Sequence, residues 1–340
     1  PNLYDLTVRL YDDKNKLLDE VFSYFGMRKI EVKNGQVLLN NRALYQRLIL
    51  DQGYWPESGM TPPSVGALEK DLDLILKMGY NGVRKHQKVE DERFLYLCDK
   101  KGILVWSEMP STYVFNDKAI LQFTNEWLQI VKQSYNHPSI ITWVPFNESW
   151  GIKGIHSLSQ PQKFTEGIYA LTKAIDPNRP VITNDGWEHT VSDIITLHDY
   201  EEIAEFFNKR YSDEIFPLTG TSHKEKIVNN EMQFNLGWFA FADGYSYKNQ
   251  PIIISEFGGI AYTTTKEGQW GYGNQVSTEN EFLERFEKIH EAIQKIPYIS
   301  GNCYTQLTDV EQEVNGLVNT KREPKVDLDQ VKRINERRRD

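Results

Sequence analysis

Two glutamates, far apart in the sequence, each lie at the end of a short apolar run. Glu148 follows Asn147 at the end of the run that starts at residue 139, and Glu256 ends the run that starts at Pro251. Runs of this length, rich in Ile, Val and aromatic residues and bounded by Pro and Gly, are typical of strands buried on both faces. A facing pair of carboxylates is the minimal apparatus for cleaving a glycosidic bond. The sequence therefore predicts a catalytic pair, Glu148 and Glu256.

The elements that would position this pair follow a βα rhythm from about residue 43 onward. Predicted strands are 43–50, 80–85, 103–108, 139–146, 180–184, 193–198, 251–256 and 298–306. Predicted amphipathic helices are 64–78, 91–101, 117–135, 161–175, 200–209, 278–295 and 326–337. This pattern predicts an α/β protein with a (β/α)₈ barrel, in which the carboxyl ends of the strands converge on one mouth.

Three further segments lie outside this rhythm. Residues 3–11 and 17–25 alternate apolar and polar side chains like a hairpin, and residues 28–40 read as a strand pair with its turn at 33–36. Because two strands alone are only marginally stable, the first hairpin looks like the tail of a β-domain. We expect domains at 1–26 and 27–340, with residues 211–249 as a loop insertion at the mouth.

Composition excludes several classes of partner. The 340 residues carry a formal net charge of −9 with dispersed Lys and Arg, which disfavours nucleic acid and anionic membranes. We find no apolar run of the roughly 20 residues that a membrane-spanning helix needs. The chain starts at Pro1 without Met, which suggests processing or a fragment and leaves the compartment unknown. Cys98 and Cys303 are expected to be buried free thiols.

With these motifs in view, the chain resembles glycoside hydrolase family 2, which includes bacterial β-galactosidases, β-glucuronidases and β-mannosidases. The resemblance covers nearly the whole chain. It lies in Phe25-Gly-Met-Arg-Lys-Ile30, Asn81-Gly-Val-Arg84, Cys98-Asp-Lys-Lys-Gly-Ile103, Asn136-His-Pro-Ser139, Asn147-Glu-Ser149 and Ser255-Glu-Phe-Gly258.

This resemblance implies a role for several residues. Glu148 would be the acid/base, Glu256 the nucleophile, and Asn147 the partner of the sugar 2-hydroxyl. Tyr200 would lie against the nucleophile. The resemblance also implies retention of anomeric configuration, so the two carboxylates would lie about 5–5.5 Å apart. Residues 1–25 would be the last strands of an immunoglobulin-like domain, normally preceded by a jelly-roll domain.

Departures from the family pattern bear on the sugar. β-Glucuronidases carry an Asn-x-Lys motif that meets the substrate carboxylate, whereas this chain has Glu313-Val-Asn315 at the matching place. A uronic acid would then meet no lysine and a like charge. We therefore expect a neutral β-sugar, with galactosides first, and leave β-glucuronidase and β-mannosidase specificities open.

Additional substrate-binding candidates are strand-end residues and loop aromatics near the predicted mouth. They are Asp51, Arg84, His86, Trp150, Asp185, His198, Tyr200, Trp270 and Tyr304. His86, His198, Asp199 and Glu108 could also be imagined as a metal site, but their spacing matches no metal motif. Hydroxyl binding is the favoured interpretation, with no cofactor required.

The sequence thus predicts a retaining exo-β-glycosidase that acts on an oligosaccharide or another β-glycoside. One rival is a catalytically idle sugar-binding fragment that lacks its N-terminal domains. The other is a metal-dependent barrel hydrolase. The linkage and a homo-oligomeric state stay open.

Overall fold

The computed structural model describes residues 1–212, 220–234, 237–263 and 268–337. Its strands are β1 (Leu3–Tyr11), β2 (Leu17–Gly26), β3 (Ile30–Lys33), β4 (Gln36–Leu39), β5 (Arg42–Ala43), β6 (Gln46–Asp51), β7 (Gly82–Lys85), β8 (Leu104–Glu108), β9 (Ile140–Val144), β10 (Phe146–Asn147), β11 (Asn184–Asp185), β12 (Ile195–Asp199), β13 (Ile252–Gly258), β14 (Ile260–Tyr262), β15 (Tyr272–Val276) and β16 (Ile299–Thr305). Its helices are α1 (Val65–Lys77), α2 (Glu92–Lys101), α3 (Asp117–Ser134), α4 (Ser159–Ile175), α5 (Ala204–Tyr211), α6 (His223–Val228), α7 (Glu279–Gln294) and α8 (Leu328–Asn335).

The central sheet is parallel and curls into a barrel. Seven strands pair in the order β12-β13-β16-β6-β7-β8-β9, so the last strand of the sequence lies beside the first strand of the barrel. A bridge between Trp143 and Val181, followed by the parallel pair β10 and β11, supplies the remaining position between β9 and β12. The predicted (β/α)₈ barrel is confirmed.

Sequence patterning explains these elements. β9 and β13 are buried along their whole length, as expected for apolar strands covered by helices on one face and by the barrel interior on the other. The helices start at side chains that accept backbone N–H bonds: Ser64 caps α1, Asn116 caps α3, and Thr278 forms a capping box with Glu281 at α7. Hence the ends of the strands, where the loops begin, are held on a rigid frame.

Three predicted elements differ from the structure. The strand expected at 180–184 is present only as the bridge at Val181 and as β11 (Asn184–Asp185). The helix expected at 200–209 begins at Ala204. Side-chain carboxylates bond the backbone N–H groups ahead of this point: Asp199 accepts from the Glu201 N–H at 3.0 Å, and Glu201 accepts from the Ile203 N–H at 3.1 Å. These local bonds offer the backbone an alternative to a helical turn. The insertion at 211–249 contains helix α6, and its parts at 213–219 and 235–236 lie outside the described residues.

The N-terminal hairpin forms as predicted and stands apart from the barrel. β1 and β2 pair in antiparallel register, and most of their residues are exposed. Their contact with the barrel is at the base, where the Tyr24 hydroxyl donates to Asp99 at 2.6 Å and Gly26 lies against Pro138. The strand pair at 28–40 is also present as β3 and β4, with β5 added as a third strand. The assignment of the hairpin to an immunoglobulin-like domain stays a prediction.

The two thiols of Cys98 and Cys303 are free and buried, as predicted. Among the described residues, no helix combines the length and the apolar character that crossing a membrane would require.

Close approach between barrel strands can be tested at Gly82. A Cβ on Gly82 would lie 2.8 Å from the carbonyl oxygen of Leu104 in the neighbouring strand, so the backbone itself must shift. We predict that Gly82→Ala lowers the thermal unfolding midpoint, with a loss of about 1–3 kcal/mol. Gly167→Ala is the matched control, because Gly167 lies inside α4 and nothing surrounds its Cβ position within 4 Å. That change should raise stability by about 0.5–1 kcal/mol. Equal effects of the two changes in thermal melts would contradict the prediction.

Candidate active site

A small cavity lies at the carboxyl ends of the barrel strands. Its volume is about 190 Å³. It is lined by Leu50, Gln52, His86, Gln87, Asn147, Glu148, Trp150, Tyr200, Glu256, Trp270, Tyr272, Thr305 and Glu313. Larger clefts of about 390 and 580 Å³ lie near the opposite ends of the strands, and neither pairs two carboxylates. The mouth is therefore the candidate active site, and it contains both predicted glutamates.

Glu256 is a buried carboxylate held by cations and a phenol. Its side chain lies in β13 and is 4% exposed. Arg84 Nη1 donates to Oε1 at 2.7 Å, and the Tyr200 hydroxyl donates to Oε2. Burial alone would raise the pKa of Glu256, but the charges of His198, Arg84 and His86 and the hydrogen bond from Tyr200 hold it below its usual value. Glu256 is thus ionised at neutral pH.

Arg84 contacts four acceptors from four other strands. Its guanidinium is fully buried and donates to Glu108 at 2.7 Å, to Asn147 at 2.7 Å and to Glu256. The same Nη1 lies 2.8 Å from Asp185. A planar guanidinium has five donors in a fixed fork, which allows it to orient several acceptors together. Arg84 therefore fixes the relative positions of Asn147 and Glu256.

Glu148 occupies a strained turn just past β10. Its φ is 52° and that of Ser149 is 60°, a left-handed conformation that costs non-glycine residues about 1–3 kcal/mol each. The Glu148 N–H donates to Asp185 O at 2.9 Å. The Asn184 side chain accepts from the Ser149 N–H at 2.9 Å and donates to the Ser149 hydroxyl at 3.1 Å. This turn directs the Glu148 carboxylate into the cavity.

His198 lies between the two glutamates. Its Nδ1 is 2.7 Å from Glu148 Oε1, and its Nε2 is 2.8 Å from Asp185 Oδ2. Although burial favours the neutral ring, the nearby carboxylates of Glu256 and Asp185 raise the pKa of His198 to about 10. His198 is therefore a cation at neutral pH, and it ties Glu148 to the base of the site.

Glu148, His198 and Glu256 are also close enough together to be considered as metal ligands. One donor atom each from Glu148, His198 and Glu256 lie within 4.8 Å of one another. Both nitrogens of His198 already contact carboxylates, and Arg84 lies against Glu256. Because a protonated His198 and Arg84 supply the positive charge at this point, the donor set fits an internal ion network better than a metal centre.

The structure separates the predicted substrate-binding residues into two groups. His86, Asn147, Trp150, Tyr200 and Trp270 line the cavity. The other predicted residues lie outside its lining: Asp51, Arg84, Asp185, His198 and Tyr304.

Their partners explain why these five do not reach the cavity surface. Arg84, Asp185 and His198 lie beneath it in the network with Glu148 and Glu256. Asp51 forms a buried ion pair with Lys85 and accepts from the Gly53 N–H at 2.8 Å. Tyr304 points out of the barrel into the core.

Several lining residues were not predicted from the sequence as site residues. They are Leu50, Gln52, Gln87 and Thr305. Gln52, Gln87 and Thr305 each adjoin a residue that was predicted. The alternation of side chains at the end of a strand could therefore have indicated them. Tyr272 stacks on Tyr200 with ring centroids 3.4 Å apart. Its distance in sequence from Tyr200 gave no signal for this contact.

Comparison with known proteins is consistent with this geometry. The family model for the glycosyl hydrolases family 2, TIM barrel domain, matches residues 30–338. The chain is 29% identical to a β-galactosidase of Vibrio vulnificus over 94% of this chain and 33% of that protein. It is 26% identical to a β-glucuronidase of Streptococcus agalactiae over 95% of this chain and 55% of that protein. It thus spans about a third to a half of these relatives.

Solved structures share the fold. The crystal structure of the Ruminococcus gnavus β-glucuronidase matches with a TM-score of 0.76 at 18% identity, over 99% of this chain and 57% of that one. A β-galacturonidase from Eisenbergiella tayi bound to galacturonate matches with a TM-score of 0.74 at 22% identity, over 98% of this chain and 58% of that one. At this identity the similarity establishes the barrel architecture alone.

Replacing the buried Arg84 should lower the stability of the fold by an amount that depends on pH. Arg84→Met leaves Glu108, Asp185 and Glu256 buried without their shared cation, which should cost about 3–5 kcal/mol near pH 7. Arg84 helps to hold the pKa of Asp185 and that of Glu256 below their usual values, so its loss raises both in the folded form, which then binds protons more tightly than the unfolded chain. The difference in unfolding free energy between the wild type and Arg84→Met should therefore grow as pH rises and narrow as pH falls from 8 to 5.

Thermal melts across this pH range check the prediction. Arg93→Met is the control, because Arg93 pairs with Asp91 at the surface and its loss should leave the melting temperature unchanged. A deficit for Arg84→Met that does not change with pH would contradict the explanation.

Proposed function

Because the chain belongs to glycoside hydrolase family 2, we propose that it is a retaining exo-β-glycosidase that removes a terminal β-linked sugar through a covalent glycosyl-enzyme. The observation that carries this proposal is the pairing of an ionised, buried Glu256 with Glu148 across one cavity. The chain spans only part of the length of its relatives. The proposal therefore rests on the geometry of this site rather than on the activities of those longer proteins.

In the proposed mechanism the two carboxylates have different tasks. Glu256 attacks the anomeric carbon while Glu148 gives a proton to the departing oxygen. Glu148 then takes a proton from water, and the resulting hydroxide releases the sugar from Glu256. An oxygen of Glu148 and an oxygen of Glu256 lie within 4.8 Å. This close approach favours the retaining class, whose carboxyl groups lie roughly 5–5.5 Å apart, over the inverting class, which leaves room for a water between them.

Asn147 would bind the sugar beside the reacting carbon. Its Oδ1 accepts from Arg84 at 2.7 Å, so its Nδ2 is the end of the amide that can donate to a hydroxyl. Because Arg84 also holds Glu256, a hydroxyl bound by Asn147 is positioned relative to the nucleophile. This arrangement suits the 2-hydroxyl, which neighbours the anomeric carbon.

The size of the cavity supports action on a terminal sugar. Its volume of about 190 Å³ lies below the range of about 300–1,000 Å³ that is typical of pockets for drug-sized ligands. One monosaccharide is the ligand that suits such a space. An internal stretch of a polysaccharide would instead need an open cleft on both sides of the catalytic pair.

The charge of the cavity supports a neutral sugar. Glu148, Glu256 and Glu313 belong to its lining, and no Lys or Arg does among the described residues. Burial raises the pKa of Glu313, against the effect of hydrogen bonds that the carboxylate accepts from Asn315 at 2.9 Å and Gln52 at 3.0 Å. A uronate would be repelled here, whereas the hydroxyls of a neutral sugar can donate to Glu313. A β-galactoside is our proposed substrate.

Variants of the two glutamates test the assigned roles. Glu256→Ala should reduce turnover of every substrate by about four orders of magnitude or more, because no covalent intermediate can form. Glu148→Ala should still release dinitrophenolate in a burst from a dinitrophenyl glycoside, whose leaving group needs no proton, and then stall. Azide should restore steady turnover with retained configuration. A burst from the Glu256→Ala protein instead would reverse the two roles.

A panel of aryl β-D-glycosides tests the sugar. The galactoside should exceed the glucuronide in kcat/KM by at least about tenfold, because Glu313 opposes a second carboxylate. Glu313→Gln removes that charge with little change in shape, so it should narrow the ratio of the two substrates. A wild-type preference for the glucuronide, or a ratio that Glu313→Gln leaves unchanged, would count against a neutral-sugar site.

A further inference from the structure

Two exposed aromatic side chains stand beside the proposed acid/base. Trp150, two residues after Glu148, lines the cavity and is 49% exposed. Tyr113 lies next to it, outside the cavity lining, and is 86% exposed. The two rings meet edge to face, with centroids 5.9 Å apart at 76°. Large apolar rings exposed together at the rim of a site indicate a binding surface.

The contact between these rings is built into the fold. Gly151, with φ of 75°, packs against the backbone of Thr112, where a Cβ would lie 2.8 Å from the carbonyl oxygen. The loop of Tyr113 is also tied to the mouth, because Gln87 accepts from the Ser111 N–H at 3.1 Å. The loop of Tyr113 therefore has a fixed position relative to the turn that carries Glu148 and Trp150.

The position of the pair indicates which part of a substrate it meets. A general acid lies next to the glycosidic oxygen, so the leaving group begins on that side of the site. A different aromatic set lies at Glu256, where Tyr200 donates to the carboxylate and stacks on Tyr272, beside Trp270. The two sets divide the mouth, with the Glu256 side facing the sugar to be transferred and the Glu148 side facing the group to be released.

We propose that Tyr113 and Trp150 form a leaving-group subsite that binds the pyranose ring of the sugar next to the scissile bond. The axial C–H groups of a pyranose present an apolar face to an aromatic ring, and ring hydroxyls at its edge stay in water. The inference rests on the proposed function and adds to it that the natural substrate is a saccharide with at least two rings.

Substrates that share one transferred sugar but differ in the leaving group test this subsite. A disaccharide reaches it, whereas a glycosyl fluoride fills only the inner cavity. Tyr113→Ala and Trp150→Ala should each lower kcat/KM for the disaccharide by about tenfold. Tyr113→Ala, whose side chain lies outside the cavity lining, should keep kcat/KM for the fluoride within about twofold of the wild-type value. Tyr113→Phe, which keeps the ring, should act like the wild type on both substrates.

The double variant gives a second readout. Because the two rings touch, the losses on the disaccharide should be less than additive on a logarithmic scale. Equal losses on the fluoride and the disaccharide would assign the effect to the Glu148 turn and overturn the subsite. Unchanged disaccharide turnover in Tyr113→Ala, a substitution at an exposed site, would also overturn it. If the wild type hydrolyses glycosides and the fluoride, a failed subsite leaves the proposed function standing; if it hydrolyses neither, both fail.

Discussion

The geometry of the mouth depends on one buried guanidinium. Arg84 projects from β7 and contacts Glu108 at the end of β8, Asn147 in β10, Asp185 in β11 and Glu256 in β13. Removing these charges from water is costly, and burial of such a network stabilises the fold little compared with apolar packing. The effect of the network is to fix the positions of the side chains at the mouth. A lysine, with one ammonium group on a flexible stem, could not hold acceptors from four strands at once.

The strained turn at Glu148 depends on the same strand ends. Asp185 contributes its side chain to Arg84 and its backbone carbonyl to the Glu148 N–H. Asn184, the preceding residue, bonds both the backbone and the hydroxyl of Ser149. The short β11 therefore holds two consecutive left-handed residues that would otherwise relax. The loop after β8 packs on Gly151, two residues after Ser149, which links the turn to the rim where Tyr113 lies.

Sequence patterns predicted the barrel and the place of Glu148 and Glu256 at its mouth because both depend on local signals: the apolar run Ile140–Val144 is followed by Glu148, and the run Ile252–Gly258 contains Glu256. The direction in which an individual side chain points was harder to predict from the sequence. Pairing registers shift between Leu197 and His198 and between Ile254 and Phe257, so the alternation of side chains is broken where the strands reach the mouth. Tyr304 was therefore expected at the mouth, whereas it packs on Phe257 and Phe286 in the core. The role of Asp51 depended on a partner, Lys85, that only the fold brings near.

The two glutamates both follow apolar strands, and their sequence contexts alone do not explain why they would act differently. Their surroundings do. Glu256 is buried against Arg84, His198 and His86 and accepts from Tyr200, and these four neighbours together favour the ionised form that a nucleophile needs. Glu148 is half-buried, and among the described residues the cation bonded to its carboxylate is His198, which Asp185 and Glu256 also attract. Glu148 also lines the cavity with a partly exposed side chain, so a proton can pass between its carboxylate and a substrate oxygen or water there, as a residue that acts first as acid and then as base requires.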